Sequence, residues 1–91
     1  MKVIWTPRAA IDLDGMIDYI AMDSPDSAIR VASKIYNQVM DLSSMPSIGR
    51  IGALPGTREL LFNPWPYIAV YRITSGTVRV LRIRHAAQQW P

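Results

Sequence analysis

The stretch YIAVYRITSGTVRVLRIRH, residues 67–85, decides the fold of this chain. Two runs rich in β-branched and aromatic residues, Tyr67–Ile73 and Val78–His85, flank a short segment whose glycine can adopt a positive φ. This pattern predicts a β-hairpin. Alternate residues of the second run form two sets, Val78, Val80, Arg82 and Arg84 on one side and Arg79, Leu81, Ile83 and His85 on the other. Because both sets contain apolar residues, we expect a central strand with helices on one face.

Three further segments lie upstream of the hairpin. Thr57–Phe62 is another strand candidate, and the prolines that follow it fall outside the strands. Residues 43–56 contain glycines and prolines that interrupt periodic structure, so we expect a loop there. Val3–Thr6 is short and β-prone, and it predicts a first strand at an edge of the sheet.

Two segments carry apolar residues at helical spacing. Thr6-Pro7 and Ser24-Pro25 each predict a helix start, because the hydroxyl can cap the helix and proline lacks only an N–H that would be unpaired there. The first stripe, which ends near Met22, contains Ala10, Leu13, Met16, Ile17 and Ile20. The second contains Ala28, Val31, Ala32, Ile35, Val39 and Leu42. Since so few residues separate the two helices, we expect an antiparallel helical hairpin.

Together these elements predict an α+β fold in which an N-terminal strand and an antiparallel helical hairpin join an antiparallel β-sheet, in the order β-α-α-β-β-β. Residues 1–91 are expected to form a single domain. Hydrophobic residues make up 49% of the chain, which is enough for a core. A chain this short is nevertheless marginal alone, so a partner that covers apolar surface would stabilise it.

The net charge of +3 is unevenly placed. Residues 1–45 hold four cations and six aspartates, a net of −2, whereas residues 46–91 hold six arginines and one glutamate, a net of +5. A basic C-terminal half suits an acidic partner, either protein or nucleic acid. Charged side chains that blunt a solvated strand edge explain the same pattern equally well.

The composition argues against several classes of site. There is no cysteine, only one histidine and no glycine-rich strand–helix turn, so we expect no metal, no cofactor, no phosphate loop and no nucleophile triad. The N-terminal residues show no long apolar run and no cleavage site. We therefore expect neither a signal peptide nor a membrane span, and a cytoplasmic location.

Five blocks of sequence, taken in order, carry a resemblance to a known family. They are Trp5-Thr6-Pro7-x-Ala9-x-x-Asp12-Leu13; Tyr19-Ile20-Ala21-x-Asp23-x-Pro25-x-x-Ala28; Met45-Pro46-x-x-Gly49-Arg50-x-Gly52 with Pro55-Gly56-Thr57-Arg58-Glu59-Leu60; Tyr67-x-x-Val70-Tyr71-Arg72; and Val80-Leu81-Arg82-Ile83-x-His85-x-x-Gln88-Gln89-Trp90-Pro91. Their order and spacing resemble toxins of the RelE/ParE superfamily, from bacterial type II toxin–antitoxin modules. The last block is closest to the ParE branch.

The resemblance implies the toxin of a plasmid-stabilisation module, a non-catalytic inhibitor of DNA gyrase held in a hetero-oligomer by its cognate antitoxin. One alternative is a RelE-type mRNA interferase, which cuts messages on the ribosome. That branch carries lysines along the second strand, where this chain has Glu59-Leu60-Leu61. It also carries an arginine just after the aromatic residue that opens the third strand, where this chain has Ile68 after Tyr67. Under this alternative, the resemblance implies that only Arg82, Arg84 and His85 could form the catalytic site. A degenerate toxin that only binds its antitoxin is the other alternative.

The basic C-terminal half and the resemblance together nominate residues for partner binding. Antitoxins of this class wrap an amphipathic, acidic segment around the toxin. We therefore expect the basic last strand and the apolar helical hairpin to meet the partner. The candidate residues are Arg58, Arg72, Arg82, Arg84, His85 and Trp90.

Overall fold

The computed structural model describes residues 1–91, with two helices packed on one face of a five-stranded sheet. The elements are β1 (Lys2–Trp5), α1 (Pro7–Asp23), α2 (Pro25–Met40), a 3₁₀ turn (Asp41–Ser43), β2 (Arg50–Ile51), β3 (Arg58–Leu61), β4 (Tyr67–Thr74) and β5 (Thr77–His85). The strand order is β1-β5-β4-β3-β2. The other face of the sheet, which no helix covers, is called the open face below.

Both helices begin where the sequence predicts. The Thr6 side chain accepts a hydrogen bond from the Ala9 N–H at 3.2 Å, and the Ser24 side chain accepts one from the Ser27 N–H at 3.2 Å. Ser24 is the only residue between the helices, and its own N–H donates to the Ile20 carbonyl at 3.0 Å. The predicted helical hairpin is confirmed. On α1, however, Ala9 rather than Ala10 is the buried alanine.

The predicted hairpin is confirmed as well, since β4 and β5 pair from Tyr67↔His85 to Thr74↔Thr77. β1 lies at the sheet edge as expected, but it runs parallel to β5. The sheet is therefore mixed rather than antiparallel throughout. A hairpin turn fixes the direction of β5 relative to β4, whereas most of the chain separates β1 from β5. No local signal sets the direction of β1.

β2 was not predicted. It has two residues, and it pairs antiparallel with β3 through Arg50↔Glu59 and Ile51↔Arg58. A segment this short, set among glycines and prolines, shows no alternation that a sequence pattern can detect. It extends the sheet to five strands and makes the order β-α-α-β-β-β-β.

A buried tyrosine fixes the loop between the helices and β3. The Tyr71 hydroxyl donates to the Pro46 carbonyl at 2.7 Å and accepts from the Gly49 N–H at 2.9 Å. Burial raises the pKa of Tyr71 above its ordinary value, although the Gly49 hydrogen bond and the charge of Arg58 oppose the rise. The phenol therefore stays protonated at neutral pH and keeps its donor.

A bulge in β5 corrects the predicted alternation. The pairing passes from Tyr71↔Val80 to Val70↔Arg82, which leaves Leu81 without a partner in β4. An extra residue shifts the alternation by one, so Ile83 joins Val80 in the core beneath the helices. Arg82 and Arg84 do not share a face with Val78 and Val80. The core comprises Ala9, Val31, Ile35, Val39, Leu42, Phe62, Ala69, Tyr71, Val78, Val80 and Ile83.

Gly49→Ala should destabilise the protein. A Cβ at this position would lie 2.6 Å from the Tyr71 hydroxyl and 2.9 Å from the Glu59 carbonyl oxygen, so the loop or the tyrosine must shift. We expect the free energy of unfolding to fall by about 1–3 kcal/mol in chemical denaturation. Gly15→Ala is the control, because nothing lies within 4 Å of its Cβ position. It should raise stability by about 1 kcal/mol through helix propensity. Equal stability of both variants would contradict this role of the Tyr71 contact.

Candidate partner-binding surfaces

Arg82 is bonded within the molecule, to Asp12 of α1. Its Nε lies 2.8 Å from Asp12 Oδ2, and its terminal nitrogen lies 3.4 Å from Oδ1. The same carboxylate accepts from the Ile83 N–H at 3.0 Å and from Arg8 Nε at 3.3 Å. Asp12 therefore joins α1 to β5, and Arg82 orients its carboxylate.

β1 is too short to pair with the whole of β5, and Asp12 accepts a backbone hydrogen bond where β1 no longer reaches. β1 pairs with β5 only as far as Trp5↔Val80, so the outer edge of β5 has no neighbouring strand beyond that point. Thr6 extends the cover, because its N–H donates to the Val80 carbonyl at 3.0 Å and its hydroxyl to the same oxygen at 2.9 Å. Asp12 then satisfies the Ile83 N–H. A buried backbone donor left unpaired there would cost roughly 1–3 kcal/mol.

Arg84 belongs to a second ion-pair cluster, centred on Glu59. The side chains of Glu59 and Arg84 are 4% and 8% exposed, and their charged groups lie 3.8 Å apart. Arg50 reaches the Glu59 carboxylate from β2 with contacts of 2.8 and 3.0 Å, and the Ala53 N–H donates to it at 3.3 Å. Burial alone would raise the pKa of Glu59, but these hydrogen bonds and the two guanidinium charges lower it below its ordinary value.

Trp90 covers these arginines from the C-terminal tail. Its ring lies 5.7 Å from the Arg82 guanidinium carbon and 5.4 Å from that of Arg84. Cation–π contacts of this kind contribute roughly 0.5–2 kcal/mol each, and more when water is excluded. The indole is half-buried, so Trp90 shields the arginines from solvent.

Arg58 and Arg72 have different surroundings. Arg58 donates to the carbonyls of Gly49 at 2.8 Å and Ser47 at 3.2 Å, which anchors the loop before β2. Arg72 is exposed, and its one side-chain hydrogen bond goes to the Pro55 carbonyl at 3.3 Å. Arg58 therefore stabilises the loop, whereas the charge of Arg72 is accessible to solvent.

His85 is exposed at the end of β5, where the tail turns. Its Nδ1 accepts from the Ala87 N–H at 3.0 Å, and its ring meets the Tyr67 ring edge-on with centroids 5.6 Å apart. A cleft of about 280 Å³ opens beside it. The cleft is lined by Asp12, Met16, Tyr19, Tyr67, Ile83, Arg84, His85 and Gln88. Of the six nominated residues, the structure brings Arg84 and His85 to this cleft.

The helical hairpin was predicted to meet a partner, but its exposed apolar side chains were not named from the sequence. Tyr19 and Met22 on α1 are 73% and 83% exposed, and Ile29 on α2 is 65% exposed. On α2, Ile29, Tyr36 and Met40 are seven and four residues apart, so they share one side of the helix. The signal was present in the sequence, because these residues fall outside the stripes that predict the core-facing sides.

The fold shows neither a cluster of metal-ligating side chains nor a helix that could cross a membrane. No three His, Asp or Glu side chains lie close enough together to hold a metal ion. Neither helix is both long enough and apolar enough to span a bilayer.

Comparison with known proteins identifies the family. The model of the ParE toxin of the type II toxin–antitoxin system, parDE, matches residues 3–90. The chain belongs to this family. The toxin is 44% identical over 90 residues to the Y4kP protein of Sinorhizobium fredii, covering 99% of this chain and 93% of that protein. It is 40% identical over 87 residues to toxin RelE2 of Caulobacter vibrioides, covering 96% and 97% of the two chains.

A solved structure has the same fold as this ParE-family toxin. A chain from the chromosomal ParDE toxin–antitoxin system of P. aeruginosa superposes with a TM-score of 0.83 at 33% identity, covering 93% of this chain and 95% of that one. The predicted superfamily and fold class are thereby confirmed. The chain is a toxin of a type II toxin–antitoxin system, and membership of the family implies an antitoxin partner.

Glu59→Gln should make the toxin less stable and less sensitive to acid. At neutral pH we expect a loss of about 3 kcal/mol, because Arg84 is left buried without its counter-charge. The pKa of Glu59 is lower in the folded state than in the unfolded state. The ionised carboxylate therefore adds to the free energy of unfolding at any pH above the unfolded-state pKa, and this stabilisation is lost as the pH falls through the folded-state pKa. The difference between wild type and variant in chemical denaturation should therefore shrink in acid.

Asp18→Asn is the control for this pH series, since Asp18 is exposed and forms no ion pair. Its unfolding free energy should follow the wild type across the series. A Glu59→Gln variant that matched the wild type at neutral pH would contradict the stabilising role of the buried pair.

Proposed function

We propose that this toxin is a non-catalytic inhibitor of DNA gyrase, neutralised by its cognate antitoxin in a hetero-oligomeric complex. The proposal is supported by the ion pairs that the C-terminal arginines form within the molecule. Cleavage of RNA needs charge stabilisation at a phosphate and groups that move protons. Here Arg82 is bonded to Asp12 and Arg84 is buried beside Glu59. These guanidinium groups support the fold, and a toxin that acts by binding does not need them for chemistry.

The helical layer supplies the surface that we propose for the antitoxin. Ile29, Tyr36 and Met40 line one side of α2, and Arg30 and Lys34 lie exposed on the same helix. Ile29, Arg30 and Lys34 also border a groove of about 450 Å³ between α2 and Trp65. Apolar anchors flanked by cations fit an amphipathic, acidic segment. Burial of this surface would add to the stability of a small core.

The cleft beside His85 favours a second candidate, an mRNA interferase acting on the ribosome. Two tyrosines, a histidine and an arginine meet there, and two relatives from Caulobacter vibrioides carry RelE names. His85 Nδ1 accepts a backbone hydrogen bond, which leaves Nε2 as the nitrogen for proton transfer. The two candidates therefore make opposite predictions for the imidazole.

His85→Ala should leave toxicity intact if the toxin acts by binding. Loss of a general acid or base would lower an interferase rate by about 100-fold to 10,000-fold, which would relieve growth arrest. Controlled expression in bacteria, scored for DNA damage response and filamentation against immediate translation arrest, measures the difference. Purified wild-type toxin should also inhibit supercoiling by purified gyrase.

His85→Gln is the matched variant, because it keeps a polar side chain at the end of β5. Circular dichroism must first show that both variants fold. The gyrase proposal would be wrong if the toxin did not inhibit supercoiling but did cut ribosome-bound messages, and if His85→Ala abolished that cutting. The interferase would then take its place. No toxicity at all, with antitoxin binding retained, would identify a degenerate toxin.

Ile29→Asp should weaken binding of the antitoxin. A buried interfacial anchor typically contributes about 2 kcal/mol or more, so we expect roughly a 30-fold rise in Kd by calorimetry. Ile29→Leu is the same-site control, since it keeps the apolar area and should change Kd little. The wild-type toxin should also gain thermal stability in the presence of its antitoxin. Equal affinities for all three chains would place the antitoxin elsewhere.

A further inference from the structure

The two sides of the molecule carry opposite net charge. Residues 7–43, which form the helical layer, contain three cations and six aspartates, a net of −3. The rest of the chain contains seven cations and one glutamate, a net of +6, and the two parts together give the total of +3. Arg82 reaches Asp12 past the uncovered edge of β5, but no other cation of the open face forms an ion pair with these aspartates.

Three cations lie together on the open face without an acidic partner. Arg72 of β4 pairs directly with Arg79 of β5, and Lys2 of β1 pairs with Thr77 in the next row of that face. Val78 and Val80 point into the core, so Arg79 between them points to the open face. All three side chains are exposed, and none forms an ion pair.

No ion pair within the molecule accounts for these three cations. Like charges directly opposite each other on one face of a sheet destabilise it, and Arg72 and Arg79 hold that arrangement. By contrast, Arg50, Arg82 and Arg84 each have a carboxylate within 4 Å. A positively charged surface of this kind is the electrostatic footprint of a polyanion-binding protein.

We propose that the open face binds the phosphate backbone of duplex DNA through Lys2, Arg72 and Arg79. Backbone contacts need cations and little else, and they supply sequence-independent affinity. This inference does not depend on gyrase being the target of the toxin, although a gyrase inhibitor would meet its target beside DNA.

The distribution of apolar side chains favours a nucleic acid over an acidic protein. A protein interface depends on a few buried apolar or aromatic anchors. The exposed large apolar residues of this chain lie at the N-terminus, on the helices, in the loop before β2 and on β2: Met1, Ile11, Tyr19, Met22, Ile29, Tyr36, Met40, Met45, Ile48 and Ile51. None lies on β4 or β5, so the row formed by Arg72 and Arg79 offers charge without anchors.

A duplex fits this face better than a single strand does. Proteins that bind single strands stack the bases on exposed aromatic rings. No exposed phenylalanine, tyrosine or tryptophan lies on β4 or β5, and Trp90 of the C-terminal tail is half-buried against Arg82 and Arg84. It leaves no open stacking platform, whereas the phosphates of a duplex are accessible from outside without any unstacking.

The test measures binding of the full-length toxin to a fluorescent 20-base-pair DNA duplex by anisotropy, with no gyrase present, over a series of salt concentrations. For three phosphate contacts we expect log K to fall with log salt at a slope of about −3. Arg72→Gln combined with Arg79→Gln should reduce the magnitude of that slope by about 2. Each lost contact should weaken binding about tenfold at 50 mM salt.

Arg30→Gln combined with Lys34→Gln is the matched control, since it removes the same charge from exposed positions on α2. It should keep the wild-type slope, and thermal melts should show both double variants folded. Equal losses in the two double variants would reduce the effect to net charge and overturn the proposal. So would a failure of the wild type to bind the duplex, or tighter binding to a single strand or to polyglutamate. Because gyrase is absent, none of these outcomes bears on the supercoiling test.

Discussion

The stability of the open face of the sheet depends on the ion pairs of the buried Glu59 carboxylate. That face has no helix to cover it, and its C-terminal half carries Arg82 and Arg84 close together. Glu59 supplies the negative charge that makes Arg84 tolerable at 8% exposure, and it also holds Arg50 and the Ala53 backbone. Without that carboxylate, the Arg84 guanidinium would remain in a poorly solvated site beside the Trp90 ring, with no negative charge next to it. Uncompensated buried charge costs several kcal/mol, which is a large share of the stability of a domain this small.

The parts of the fold that the sequence predicts are those set by local chemistry. Thr6-Pro7 and Ser24-Pro25 begin helices because a hydroxyl and a proline act within one turn, and Gly76 permits the β4–β5 turn with a φ of 72°. The parallel direction of β1 was not predictable because it depends on pairing with a strand more than 70 residues away. The two-residue β2 is too short to show an alternation, and the bulge at Leu81 interrupts the alternation on which the prediction of β5 rests. The buried residues of α2 were all predicted from their apolar spacing, whereas on α1 the buried Ala9 was not.

The candidate sites show the same division. The sequence reveals which residues are charged, but not which of them are neutralised, because the partners lie far apart along the chain. Asp12 is 70 residues from Arg82, and Glu59 is 25 residues from Arg84. The arginines of the β4–β5 hairpin, which look alike in the sequence, are therefore of two kinds. Those near Asp12 and Glu59 support the structure, whereas Arg72 and Arg79 keep their charge accessible. Register, rather than composition, separates them.

One scaffold can host different functions, because function depends on the residues of the site and not on the fold. In this chain two carboxylates engage the arginines that follow the bulge, and Trp90 screens them from water. A chain of the same fold with an uncharged residue in place of Glu59 would lose the counter-charge of its buried arginine. That guanidinium would then be stable only if it reached solvent or an anionic ligand. A change at a structural acid, rather than at a catalytic residue, is therefore enough to alter what the C-terminal strand presents to a partner.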